Sequence, residues 1–218
     1  MNTEALLTHL QLPEAKRGMN WEKDFLKFFP SAFVTLTSEQ AESGPDNFPY
    51  LLVEVKPDST EPIQKIIEWL ETRGIGLVVN PQKGYPDYIF TYGMIVNFKE
   101  RGEFFTDTKI RTEKDVAFKP EEKVLFGEPS VQYLPTQTRS LIKQFLQEQG
   151  ILQPRALLAV LNPNTEFEAY DLLFSVESLG KPPENEHQGI LQAISWFLPS
   201  HYSIAMVSER DLPPFSAI

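Results

Sequence analysis

A chain of 218 residues with thirty acidic and twenty basic side chains carries a formal net charge of −10, which repels nucleic acid and anionic lipid; it reads first as charge that keeps the protein soluble, and otherwise as a field that attracts a basic protein partner. Its 41% hydrophobic content is too apolar for a disordered chain, and its length suffices for one large domain or two small ones. The complete lack of cysteine excludes disulfides, thiolate metal sites and cysteine nucleophiles, and fits a reducing compartment.

The polar start Asn2-Thr3-Glu4 followed by a short Ala-Leu-Leu run has neither the basic nor the long apolar region of a signal peptide. The longest apolar runs, such as Ala156–Leu161, fall well short of the roughly 20 residues needed to cross a bilayer. The expectation is a soluble, cytoplasmic protein with no membrane partner.

Trp21, Phe25, Phe28 and Phe29 share one face of a predicted helix that stops at Pro30. Residues 32–37 are β-prone, and Ser38 to Asn47, with Gly44-Pro45-Asp46, reads as a loop leading to a second strand at Tyr50–Val55. Pro57-Asp58-Ser59-Thr60 supplies turn and cap residues for a second helix. Its apolar positions Ile63, Ile66, Ile67 and Leu70 follow helical spacing, and Gly74 stops it before a strand at 75–80. The segment from Tyr85 through Phe98 to a turn at Glu100-Arg101-Gly102 reads as a strand, or a strand and a short helix, that extends the first sheet. Lys109 to Lys123, interrupted by Val116-Ala117-Phe118, reads as a solvated loop, and Val124–Phe126 as a small strand. The lobe boundary falls between Gly127 and Pro135, giving an N-terminal lobe over 1–130 and a C-terminal lobe over 131–218.

In the second half, Leu141, Ile142, Phe145 and Leu146 lie on one face of a helix over 138–149 that ends at Gly150. Two β-prone runs, Arg155–Leu161 and Ala169–Val176, flank the turn signal Asn162-Pro163-Asn164. His187, Ile190, Leu191, Ile194, Phe197 and Leu198 form the next helical face, and Tyr202–Val207 is a closing strand. Both halves therefore read α-β-β-α-β, over 21–80 and 138–207, with Pro30 and Pro154 preceding the first strand and Trp69 and Trp196 late in the second helix. The predicted fold is α+β: two similar lobes, a possible internal duplication, with helices packed on mainly antiparallel sheets.

Candidate chemistry is sparse. His9, His187 and His201 lack the spacing of a metal site, and no Gly-x-Ser-x-Gly, Gly-x-Gly-x-x-Gly or P-loop pattern occurs, so no metal or cofactor is expected. Ser195 reads as a small polar residue of a helix, Gly74-Ile75-Gly76 as a helix stop entering a strand, and Glu166 and Glu168 as exposed neighbours on a hairpin. Asp87 lies among Tyr85, Tyr88, Phe90 and Tyr92. It reads first as an exposed turn aspartate after Pro86; burial there would instead raise its pKa and make it an acid. His201 would serve as a base only if a carboxylate oriented it. The tail Asp211–Phe215 reads first as packing back through Phe215, and otherwise as an extended segment offered to a partner.

The leading helix ending in Gly150-Ile-Leu-Gln-Pro154, the hairpin of Ala156–Val160 with Tyr170–Phe174, and the helix closing in Trp196-Phe-Leu-Pro199 before a strand to Met206-Val207 resemble the C-terminal domain of the SseB family, named for enhanced serine sensitivity. The resemblance covers 136–211; in the N-terminal half only Phe90-Thr91 is similar. It implies a non-enzymatic bacterial cytoplasmic binding or regulatory protein and carries over no functional residue. The expected function is a protein-interaction module with Tyr85, Tyr88, Tyr92 and Phe215 as candidate contacts. The alternative is a small enzyme with Asp87 and His201 as an acid–base pair between the lobes.

Overall fold

The computed structural model describes residues 3–106, 123–166 and 168–218. The chain divides into two units, Met1–Thr106 and Asp107–Ile218, each with its own sheet. The expected Lys109–Lys123 loop lies almost wholly outside the described residues.

The first unit begins with α1 (Thr3–Leu10), which no periodic run announces: Leu6 and Leu10, one turn apart, are its fully buried apolar residues. A 3-10 turn, Glu14–Lys16, leads to α2 (Met19–Phe28). Pro30 cannot continue the helix, and the chain passes through a second 3-10 turn, Phe29–Ser31. There follow β1 (Phe33–Leu36), β2 (Glu42–Ser43), β3 (Pro49–Glu54), β4 (Glu61–Pro62), α3 (Ile63–Glu71), β5 (Gly76–Val79), β6 (Tyr88–Phe90) and α4 (Tyr92–Arg101). Of the two readings for Tyr85–Phe98, strand plus helix is the one that forms. The Thr91 hydroxyl caps α4 by accepting from the Met94 N–H, and Gly102 ends it at φ 76°.

The strand order is β4-β1-β3-β5-β6 with β2 beside β3, antiparallel except for the β3/β5 pair, which α3 connects. Alternation places Val34, Leu51, Val53, Leu77, Val79 and Phe90 on one face. Apolar residues from all four helices meet that face in a single cluster, with Phe25, Phe29, Ile63 and Leu70 fully buried. Each such side chain contributes about 1.5–3 kcal/mol when removed from water.

The second unit contains β7 (Val124–Gly127), α5 (Thr136–Glu148), β8 (Arg155–Leu161), β9 (Ala169–Ser175), α6 (Glu184–Ser195), β10 (Ser203–Val207) and β11 (Ser216–Ala217). Its order is β10-β9-β8-β11 with β7 also on β8. The pairing of Val124–Gly127 with Leu158–Leu161 ties that strand to the second sheet, although it precedes residue 130. Asn162 and Asn164 take positive φ, 47° and 61°, in the β8–β9 turn, a backbone that asparagine tolerates better than most residues.

The two units repeat one plan. In α2-β1-β3-α3-β5 and in α5-β8-β9-α6-β10 the first two strands are antiparallel neighbours, and the third returns through a helix to lie parallel to the second. This is the α+β architecture read from the sequence, with mainly antiparallel sheets and one parallel pair in each.

Candidate functional site

Asp87 sits where the parallel strands β3 and β5 end. Asn80, the residue after β5, adopts the left-handed conformation (φ 55°, ψ 56°) and turns the chain into the 3-10 turn Pro81–Lys83. Its Oδ1 accepts the Val55 N–H at 2.9 Å, and its Nδ2 donates to Asp87 Oδ2 at 2.6 Å. One asparagine side chain thus joins the ends of both strands to the segment entering β6. The Asp87 N–H closes the loop by donating to the Val79 carbonyl at 2.9 Å.

The Asp87 side chain is 3% exposed, so the exposed-turn reading is corrected. Arg17 Nη1 donates to Oδ1 at 2.7 Å, and Lys83 Nζ donates to Oδ2 at 2.6 Å. Burial by itself pushes this carboxyl up, but the hydrogen bonds from Lys83, Asn80 and Arg17 outweigh it and hold the carboxyl below the ordinary aspartate value. The raised pKa that would have suited an acid catalyst is therefore corrected as well. Asp87 is an ionised clamp.

Arg17 extends that clamp to the segment between α1 and α2. Its Nη2 donates to the Leu10 carbonyl and its Nε to the Leu12 carbonyl, both at 2.9 Å, while the guanidinium lies 4.5 Å from the centre of the Trp21 ring. Trp21 and His9 then bond reciprocally: the indole N–H donates to the His9 carbonyl at 3.1 Å, and His9 Nε2 donates to the Trp21 carbonyl at 2.8 Å. Their rings stack at 5.2 Å.

A groove of about 500 Å³ opens between the end of α1 and the start of α2, and the hydrogen-bonded pair His9 and Trp21 belongs to its lining. The apolar Leu12 and Met19 line it beside them, with Lys16 and Asp24 as charged lining residues. Met19 is 79% exposed and Leu12 38%, so an apolar lip stands in water beside the groove.

The remaining candidates separate. Tyr85 is 76% exposed. Tyr88 is half-buried, packs on Phe25 and Phe90, and donates to Glu22 Oε1 at 2.6 Å; burial pushes its phenol far up. Tyr92 is fully buried with its hydroxyl on the Glu71 carbonyl, and Phe215 packs against Leu157, Ala159 and Leu173. As contact residues Tyr92 and Phe215 are corrected: both are core. His201 belongs to the second unit, half-buried and edge-on to Tyr202, whereas Asp87 belongs to the first. His187 Nε2 donates to the Pro182 carbonyl at 3.0 Å, and Ser195 Oγ donates to the Gln192 carbonyl at 2.7 Å. Glu166 and Glu168 are exposed, as expected. Among the described residues no group of three or more His, Asp or Glu is placed to hold a metal ion, and no helix is long and apolar enough to cross a membrane.

Sequence reasoning reached Asp87 and the aromatic residues near it but missed Arg17, Asn80 and the groove. The Asn80-Pro81 turn signal and the i, i+4 spacing of Lys83 and Asp87 were the available cues; Arg17, 70 positions away, left none. No family model matches this chain, nor does any curated protein or solved structure.

Proposed function

We propose that the chain is a non-enzymatic module that binds a basic protein partner, taking an apolar side chain of that partner into the groove between α1 and α2. The observation that carries this reading is the exposed pair Met19 and Leu12 beside a groove lined by Trp21 and His9, which hold each other by two hydrogen bonds, with Arg17 stacked on the Trp21 ring. A groove whose lining side chains are already held by hydrogen bonds keeps the entropic cost of binding low. The formal charge of −10 favours a partner rich in Lys and Arg and speeds its encounter. The four-way hydrogen bonding of the Asp87 carboxylate and backbone supports a structural role for that residue over an acid–base one.

A cytosolic location belongs to the same reading, supported by the lack of cysteine. So does kinship of residues 136–211 with the SseB C-terminal domain, supported by the order α5-β8-β9-α6-β10.

The test is a pull-down from soluble lysate of the source organism with the wild-type chain and a Leu12→Asp, Met19→Asp double variant, at low and high salt. A stoichiometric basic protein retained by wild type and lost by the variant and at high salt is the expected result. Identical captures by both chains overturn the reading.

A further inference from the structure

We infer that the outer edge of β10 in the second unit is a docking edge for an extended segment of a basic protein, which adds to the sheet as one more strand. The inference concerns backbone groups of the second unit and does not rest on the groove of the first.

The Val207 carbonyl accepts the Val176 N–H at 2.9 Å, and β10 is parallel to β9 with Val207 opposite Ser175. In a parallel ladder the residues alternate in the direction of their amide groups. Ser203, Ala205 and Val207 therefore turn their N–H and C=O groups to β9, and Ile204 and Met206 turn theirs outward. Among the described residues no strand pairs with that outer side. Two donors and two acceptors are thus presented two residues apart, the repeat that an added strand matches.

The other outer strands are shorter. β4 has two residues, one of them Pro62; β6 has three and follows Pro86; β11 has two and follows Pro213-Pro214; β7 has four and ends in Gly127. β10 has five residues, Ser-Ile-Ala-Met-Val, with no charge and no proline. Edges left in this state pair with other chains. Charge selects the occupant. A second copy would bring another −10 to the same edge, whereas a Lys- and Arg-bearing segment meets an opposite field. Glu177, whose carboxylate accepts from the Ser208 hydroxyl and the Glu209 N–H, places negative charge at the end of the strand.

The experiment titrates the full, isotope-labelled chain with a short synthetic peptide of alternating lysine and valine and follows backbone amides by NMR. The expected result is that the Ile204 and Met206 amides shift most and exchange more slowly with solvent, while Ala205 and Val207 change little. A glutamate–valine peptide binds at least roughly tenfold more weakly. Met206→Pro removes an outward N–H without breaking a bond to β9, so it folds and loses the peptide. Largest shifts elsewhere, or unchanged affinity in a folded Met206→Pro chain, overturn the proposal. So does protection of the same two amides by self-association without peptide. The amide map of the wild-type chain decides the matter even if the variant does not fold.

Discussion

Asp87 is a carboxylate whose worth depends on Arg17 more than on Lys83, because the Arg17 side chain is 14% exposed and that of Lys83 is 44%. Removing one partner of a buried pair strands the other charge. Arg17→Met and Asp87→Asn are therefore expected to lower unfolding free energy by about 3 kcal/mol each in urea denaturation. Lys83→Met removes a cation that is itself 44% exposed and leaves Asp87 its bonds to Arg17 and Asn80, so it costs less than about 1 kcal/mol. The pH dependence follows in sign. The folded-state pKa of Asp87 lies below the ordinary 3.8, so its stabilisation is full at neutral pH and fades as the pH falls below that value. The Asp87→Asn chain should show a shallower loss of stability over the same acid range. The sequence placed Asp87 among aromatic residues but read it first as exposed, whereas its side chain is buried. What decides it is a cation from a loop 70 positions earlier, and pairings of that range leave no local pattern.

At the scale of elements, the strands and helices with clear periodicity formed where expected. Ile63, Ile66, Ile67 and Leu70 are all buried on α3, and Arg155–Leu161 is a strand over its whole predicted length. The failures have local causes. α1 buries only two apolar residues and so lacks a stripe, and Phe197 and Leu198 lie beyond α6 in the turns that close it although both are buried. Met94–Phe98 left strand and helix both open because its short apolar run suits either, and the Thr91 cap settles it as helix. Thr91→Ala should accordingly cost about 1 kcal/mol. Gly76 shows a different constraint: a Cβ there would lie 2.6 Å from the Tyr50 ring and 2.7 Å from the Phe90 carbonyl. Gly76→Ala should destabilise by about 2 kcal/mol in thermal or urea unfolding, because the neighbouring strand cannot yield freely. Gly127→Ala, with open space around it, should change stability by less than about 0.5 kcal/mol.

Across the molecule, one supersecondary plan is used twice, and its legibility came from pairing helical and strand periods in the same order in both halves. Function was far less legible. Exposed Met19 and Leu12 are ordinary apolar letters in a sequence; they become candidates for a site only where α1 and α2 leave a groove between them. The central claim is that this groove binds an apolar anchor flanked by basic residues. The most direct measurement is a peptide-display selection on the immobilised full chain, followed by calorimetric titration of the selected peptide into wild type and Met19→Asp. The account predicts an apolar residue flanked by Lys or Arg, affinity that falls with salt, and at least a tenfold loss in the variant, about 1.4 kcal/mol. Selected peptides that lack basic residues, or that bind Met19→Asp as tightly as wild type, would contradict it.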